Sequence, residues 1–439
     1  MSEDFKIELE WLESSDREPV EKCTFAQIQI NAAQQVATEL EDLFAKTVRH
    51  GVRASAYDLA LWFAENWWRL RWEPQERSVD WRLSHVMAAI GGGVAWPDLS
   101  FASDGLHVLV EGRKTSGELG APVRYLRDLD IQVSAGAFEA GVDDFVQRVL
   151  ARLAAVNFGA TDLGRLWEQL LAERQDQQIG AHRRLEALLG FDPDEAPDPL
   201  ITSLQARTNE AGHGAIEEIA AAAKVRSPEM LGDILESARR SGVAMRVAGV
   251  SNILHQYLEQ RPQAELPWQR ARRAAMLARD IWGVREGLVS NEKLSELFGV
   301  PQDFLEYNPA NGLRLAAGLR TDQADEVVNV VIRAKVQPGR RFELMRLVAD
   351  HIAAPHDDRL LPATAAKTDR QKFQRGFAQE FLLPFDELYR LLGEPRPGES
   401  EISDSDIEDV AEEYDVSPLL VRTVLVNKGL LPRDLLIAA

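Results

Sequence analysis

The chain has 439 residues and a formal net charge of −20, with 45% hydrophobic and 27% charged residues, the balance of an ordinary globular protein. That charge disfavours non-specific nucleic-acid binding, which needs lysine and arginine to neutralise phosphates. A single cysteine, Cys23, excludes an internal disulfide and a cysteine-rich metal site and fits a reducing cytoplasm. No apolar run approaches the roughly 18 residues that span a bilayer, and the acidic, alternating start MSEDFKIELEW is not a signal peptide.

In FKIELEW, Phe5, Ile7, Leu9 and Trp11 alternate with Lys6, Glu8 and Glu10, the period-two pattern of a half-buried strand. Phe25–Ile30 and Leu106–Glu111 read the same way. Between them YDLALWFAENWWRL reads as one apolar helix, and seven of the ten tryptophans precede residue 100. Those rings suit an aromatic core better than a binding face, because large aromatics dominate burial energetics. Trp67, Trp68, Arg69 and Arg71 have the residue mix of an interface hot spot. A buried element with snorkelling arginines is the preferred reading. GGGVAWP (Gly91–Pro97) lacks both the Lys-Ser/Thr of a phosphate loop and dinucleotide-loop spacing, so it reads as a tight turn before a strand.

From about Asp143 the pattern turns helical, and LGRLWEQLL puts Leu163, Leu166, Trp167, Leu170 and Leu171 on one face. Gly190 reads as a helix stop before the Pro- and Asp-rich linker FDPDEAPDPL. Ser227-Pro228-Glu229 reads as a helix start and Gly242 as the following stop. The run Glu326–Val336 reads as a strand closed by a turn at Pro338-Gly339.

FELMRLVADHI (Phe342–Ile352) then has the look of a His-Glu-x-x-His helix without its ligands. In such a helix two histidines four residues apart reach one metal ion, and the adjacent glutamate activates the bound water. Arg346 cannot shed its proton, and Leu347 cannot accept one. An i,i+4 ion pair between Arg346 and Asp350 is the expected replacement.

Four ordered segments carry a family likeness. PWQRARRAAMLARDIWGV (Pro267–Val284), RRFELMRL with its preceding strand, QRGFAQEFLLPFDEL (Gln374–Leu388) and the closing DIEDVAEEYDVSPLLVRTVLVNKGLL together resemble the ImmA/IrrE family of metallopeptidase-like proteins. The resemblance spans roughly residues 267–431. It implies a mostly helical zincin-like domain with a small sheet. It assigns the metal-ligand positions to Arg346, Asp350 and Gln371 and the general base to Leu347, all degenerate. Active members are associated with relieving repression in mobile elements and with stress responses, acting on repressor-type proteins. The resemblance therefore implies a non-catalytic binding or regulatory protein with a protein partner, a transcriptional regulator or defence component, and no cofactor.

The alternative is a metal-dependent peptidase or hydrolase, with zinc held by displaced ligands from Asp350, His351, His356 and Glu380. Against it, His351 lies about 100° around the helix from Asp350, and Pro355 breaks the helix before His356. Asp357 and Asp358 read as solvated acids at a helix end. The last two helices have a helix-turn-helix rhythm offering Arg422, Asn427 and Lys428, but the acidic first helix disfavours DNA. The expected fold class is α+β. Its expected parts are a Trp-rich domain (1–145), a helical connector with acidic linker (146–200), a helical segment (201–266) and the zincin-like domain (267–439).

Overall fold

Residues 4–14, 18–76, 78–115, 122–222, 230–247, 265–306, 315–321, 327–394, 402–432 and 435 are described by a computed structural model. The chain is α+β and divides into two units, Met1–Ile201 and Thr202–Ala439. Among the described residues, no helix is long and apolar enough to cross a membrane.

In the first unit, alternation makes the central strand pair. β1 (Phe5–Trp11) and β2 (Phe25–Ala32) run antiparallel from Phe5 opposite Ala32 to Trp11 opposite Ala26. Phe5 and Ile7 face inward while Lys6 and Glu8 face water. β3 (Gln35–Val36) and β6 (Val52–Ser55) also pair with β2. Between them in sequence, β4 (Leu40–Asp42) and β5 (Thr47–Arg49) form a hairpin. Farther on come β7 (Leu99–Ser103), β8 (His107–Gly112), β9 (Val123–Tyr125) and β10 (Leu129–Ser134). They build a β10-β8-β7 sheet and extend the hairpin to β5-β4-β9.

The helix Ala135–Ala155, capped by Ser134, packs on β1. Gly141 permits the close approach: a Cβ there would lie 2.4 Å from the Phe5 carbonyl oxygen. This helix begins eight residues before the expected onset at Asp143 and continues through residue 145. The stretch read as one Trp-rich helix is two, Ala56–Glu65 and Trp67–Trp72. Asn66 breaks it, its backbone and side-chain N–H groups both donating to the Trp62 carbonyl oxygen. Gly91–Gly93 is a turn of three left-handed glycines ahead of β7.

In the second unit β11 (Val243–Arg246), β12 (Ala316–Arg320), β13 (Val327–Val331) and β14 (Leu360–Ala363) form one antiparallel sheet ordered β11-β13-β12-β14. The helix Gln337–Ala353 follows β13. The expected turn at Pro338-Gly339 is instead this helix's first turn, where proline's missing N–H costs nothing. Helix Asp369–Leu382 packs on both Gln337–Ala353 and Pro267–Ile281. Its Phe377 and Phe381 rings stack 5.9 Å apart in the core. Ser403 and Asp406 form a capping box on helix Asp404–Glu413, and Ser417 caps Pro418–Asn427. Ser227-Pro228-Glu229 lies outside the described residues. Gly242 does follow the end of helix Met230–Ser241.

Candidate functional site

The second unit has a cluster of buried charge where two helices meet β14. On helix Gln337–Ala353, Arg346 and Asp350 stand one turn apart, and on helix Asp369–Leu382 the first turn carries Arg370 and Gln371. Thr368 caps that second helix by accepting from the Gln371 backbone N–H, which fixes the first turn.

Arg346 Nη2 donates to Gln371 Oε1 at 2.6 Å, to the Thr364 carbonyl at 2.6 Å and to Gln374 Oε1 at 3.3 Å. Gln371 Oε1 also accepts from the Thr364 N–H at 2.8 Å, while its Nε2 donates to the Pro362 carbonyl at 2.9 Å. Asp350, wholly buried, accepts both arms of the Arg370 guanidinium at 2.7 and 2.9 Å. Arg370 reaches Asp358 with its remaining arm. Asp358 in turn accepts from the Gly214 N–H at 2.9 Å. Gly214 has to be glycine, since a Cβ would lie 2.4 Å from Asp358 Oδ2. Thr368 Oγ1 donates to Glu218 at 2.7 Å.

Burial and pairing set the charges. Burial lowers Arg346 to about 9, with Arg375 adding repulsion, so it remains a cation at neutral pH. Burial alone would also lower Arg370, but Asp350 and Asp358 outweigh it and raise its pKa. Burial pushes Glu218 up to about 7 against the pull of Arg370 and the Thr368 hydroxyl.

The three positions that the family likeness assigns to a metal have different fates. Arg346 and Gln371 are joined directly, and Asp350 is taken by Arg370. The expected Arg346–Asp350 ion pair is therefore corrected: Asp350 pairs across to the other helix, and Arg346 rests on neutral oxygens. These donors do not fit zinc. Arg346 offers no lone pair, Gln371 Oε1 already accepts two N–H groups, and both Asp350 oxygens hold a guanidinium. Leu347, fully buried, supplies no base.

The displaced set does not converge either. His351 is buried against Arg320, whose Nε lies 3.4 Å from its Nδ1, and His356 is exposed. Glu380 is buried with Arg272 at 3.3 Å, and burial raises its pKa. Among the described residues, no three of Asp350, His351, His356 and Glu380 bring ligand atoms within 4.8 Å of one another. Asp358, read as a solvated acid, is 1% exposed.

In the first unit Trp67, Trp68, Arg69 and Arg71 are buried, in line with the buried-element reading and against an exposed hot spot. Trp68 Nε1 donates to Glu173 at 3.0 Å, Arg69 pairs with Glu73 at 2.7 Å, and Arg71 donates to the Gly105 carbonyl at 3.0 Å. The Arg174 guanidinium lies 4.4 Å above Trp67. Of the closing-helix bases, Arg422 is tied to Asp404 at 2.8 Å and Lys428 lies over Phe385.

Sequence reasoning missed Arg370, Glu218 and Gln374. A signal for Arg370 existed in its place beside Gln371 at a helix start. Glu218 had none, since its partner lies 150 residues away. No protein-family model matches this chain, and no curated protein or solved structure matches it.

Proposed function

We propose that the second unit is a metallopeptidase-like scaffold of the ImmA/IrrE type whose metal position has been given over to guanidinium groups. The protein is then a non-catalytic binding or regulatory protein that recognises a protein partner of the transcriptional-regulator or defence class. The observation that carries this reading is the Arg346–Gln371 hydrogen bond at 2.6 Å. The two residues are 25 positions apart in sequence, and the family likeness had assigned both to one metal ion. The Asp350–Arg370 pair beside them supports the same view, with a fixed organic cation set among groups that would otherwise surround a metal. A site so internally satisfied holds its shape without a ligand and offers no base or activated water.

The test is reconstitution. Partners captured by the full-length chain are purified and remixed with it, then followed by light scattering and intact-mass spectrometry. A defined complex with an uncut partner is expected. Zinc-dependent cleavage of the partner would overturn the reading.

A further inference from the structure

The first unit holds a cavity of about 170 Å³ between the β4–β5 hairpin, β6, β9 and the Gly91–Gly93 turn. Its walls include Leu40, Arg49, Val52, Arg53, Val94 and Tyr125, and no carboxylate is among its lining residues. In a chain of net charge −20, two guanidiniums line this pocket, with Asp42 just outside the lining as their nearby acid.

Each cationic group has a defined state. Asp42 holds Arg49 at 2.9 Å and is itself fixed by accepting the Phe44 and Ala45 N–H groups at 3.1 and 2.8 Å. Those two N–H bonds belong to Asp42 Oδ1 and the Arg49 contact to Oδ2, so the acid positions Arg49. Arg49 Nε is buried and has no hydrogen-bond partner among the described residues, although a buried N–H ordinarily finds an acceptor. Arg53 on β6 is exposed and acts on the nearby Asp42 through charge. The Tyr125 hydroxyl donates to the Ala95 carbonyl at 2.7 Å, so among the lining side chains the donors toward a ligand are the arginines. Gly93 is among the lining residues, with φ +70°.

We propose that this cavity binds a small organic carboxylate, with its charge on Arg49 and Arg53 and a short apolar body against Leu40, Val52 and Val94. Guanidinium matches carboxylate with directed, charge-assisted bonds. Leu40, Val52 and Val94 among the lining residues offer methylene groups an apolar contact that inorganic phosphate would not use. The volume falls below the ~300–1,000 Å³ of drug-sized sites, so the ligand is a small free acid or one acidic side chain of a peptide.

The test uses the full chain at constant ionic strength, with calorimetry and ligand-observed NMR. The probes are glutarate, an end-blocked tripeptide with one central glutamate, and phosphate. Saturable binding of glutarate or the tripeptide is expected, and the tighter of the two identifies a free or chain-borne acid. Arg53→Gln, at an exposed position, is expected to weaken binding about tenfold, the loss of one charge-assisted hydrogen bond. Arg49→Gln is expected to do the same, with both variants keeping the wild-type circular dichroism. Binding no stronger than a chloride control, binding unchanged in both folded variants, or phosphate preferred over both acids would each overturn the proposal.

Discussion

At Arg370 one guanidinium meets two carboxylates, Asp350 and Asp358, that are 0% and 1% exposed. Removing one member of a buried pair leaves the other charge without compensation, at a cost of about 3–5 kcal/mol. Arg370→Leu is therefore expected to lower the unfolding free energy of the second unit, read from urea denaturation, by that scale, and a loss under about 1 kcal/mol would contradict the assignment. Glu218 gives a pH signature. Its folded pKa of about 7 stands above the 4.5 of an ordinary glutamate. Its contribution is fully present below 4.5 and is lost as pH rises through 7. Glu218→Gln keeps an acceptor for Thr368 and does not titrate. Its melting temperature relative to the wild-type chain should climb between pH 4.5 and 7 and level off above. A difference that falls over that window would refute the burial argument.

Among the elements, β1, β2, β8 and β13 were legible as strands, and the other strands were not. Polar and apolar residues alternate through β1, and both faces of that pattern appear in the structure. Boundaries were less so. Pro338 marks a turn or a first helical turn with equal ease. The apolar residues Leu344, Met345, Leu347 and Val348, packed in the core, decide for the helix. The break at Asn66 depends on one capping contact that no periodicity reveals. Close packing makes a further demand at Gly141. Gly141→Ala would push the helix off β1 and is expected to cost about 1–3 kcal/mol as an overpacked contact, measured by thermal unfolding. A neutral substitution would show that the Phe5 carbonyl can retreat.

At the scale of the molecule, two large hydrophobic clusters stand out among the described residues, one of residues from Phe5 to Ala187 and one from Met245 to Leu425. Two cores predict two calorimetric transitions, with Gly141→Ala shifting one and Arg370→Leu the other. A single transition moved equally by both would contradict that division. The site was legible only in part. A family likeness pointed to Arg346, Asp350 and Gln371, and the structure places Arg346 against Gln371. The groups that complete it are the Gly214 N–H and the Glu218 and Asp358 carboxyls, up to 150 positions from their partners. No spacing rule joins residues so far apart.

The central claim is that guanidinium groups occupy a former metal position. Its most direct test is the zinc content, by plasma mass spectrometry after dialysis against trace zinc, of the wild-type chain and a folded variant carrying Arg346→His, Leu347→Glu, Asp350→His and Gln371→Glu. The account predicts no retained zinc in the wild type and close to one zinc per chain in the variant. Stoichiometric zinc on the wild-type chain, lost on Asp350→Ala, would contradict it.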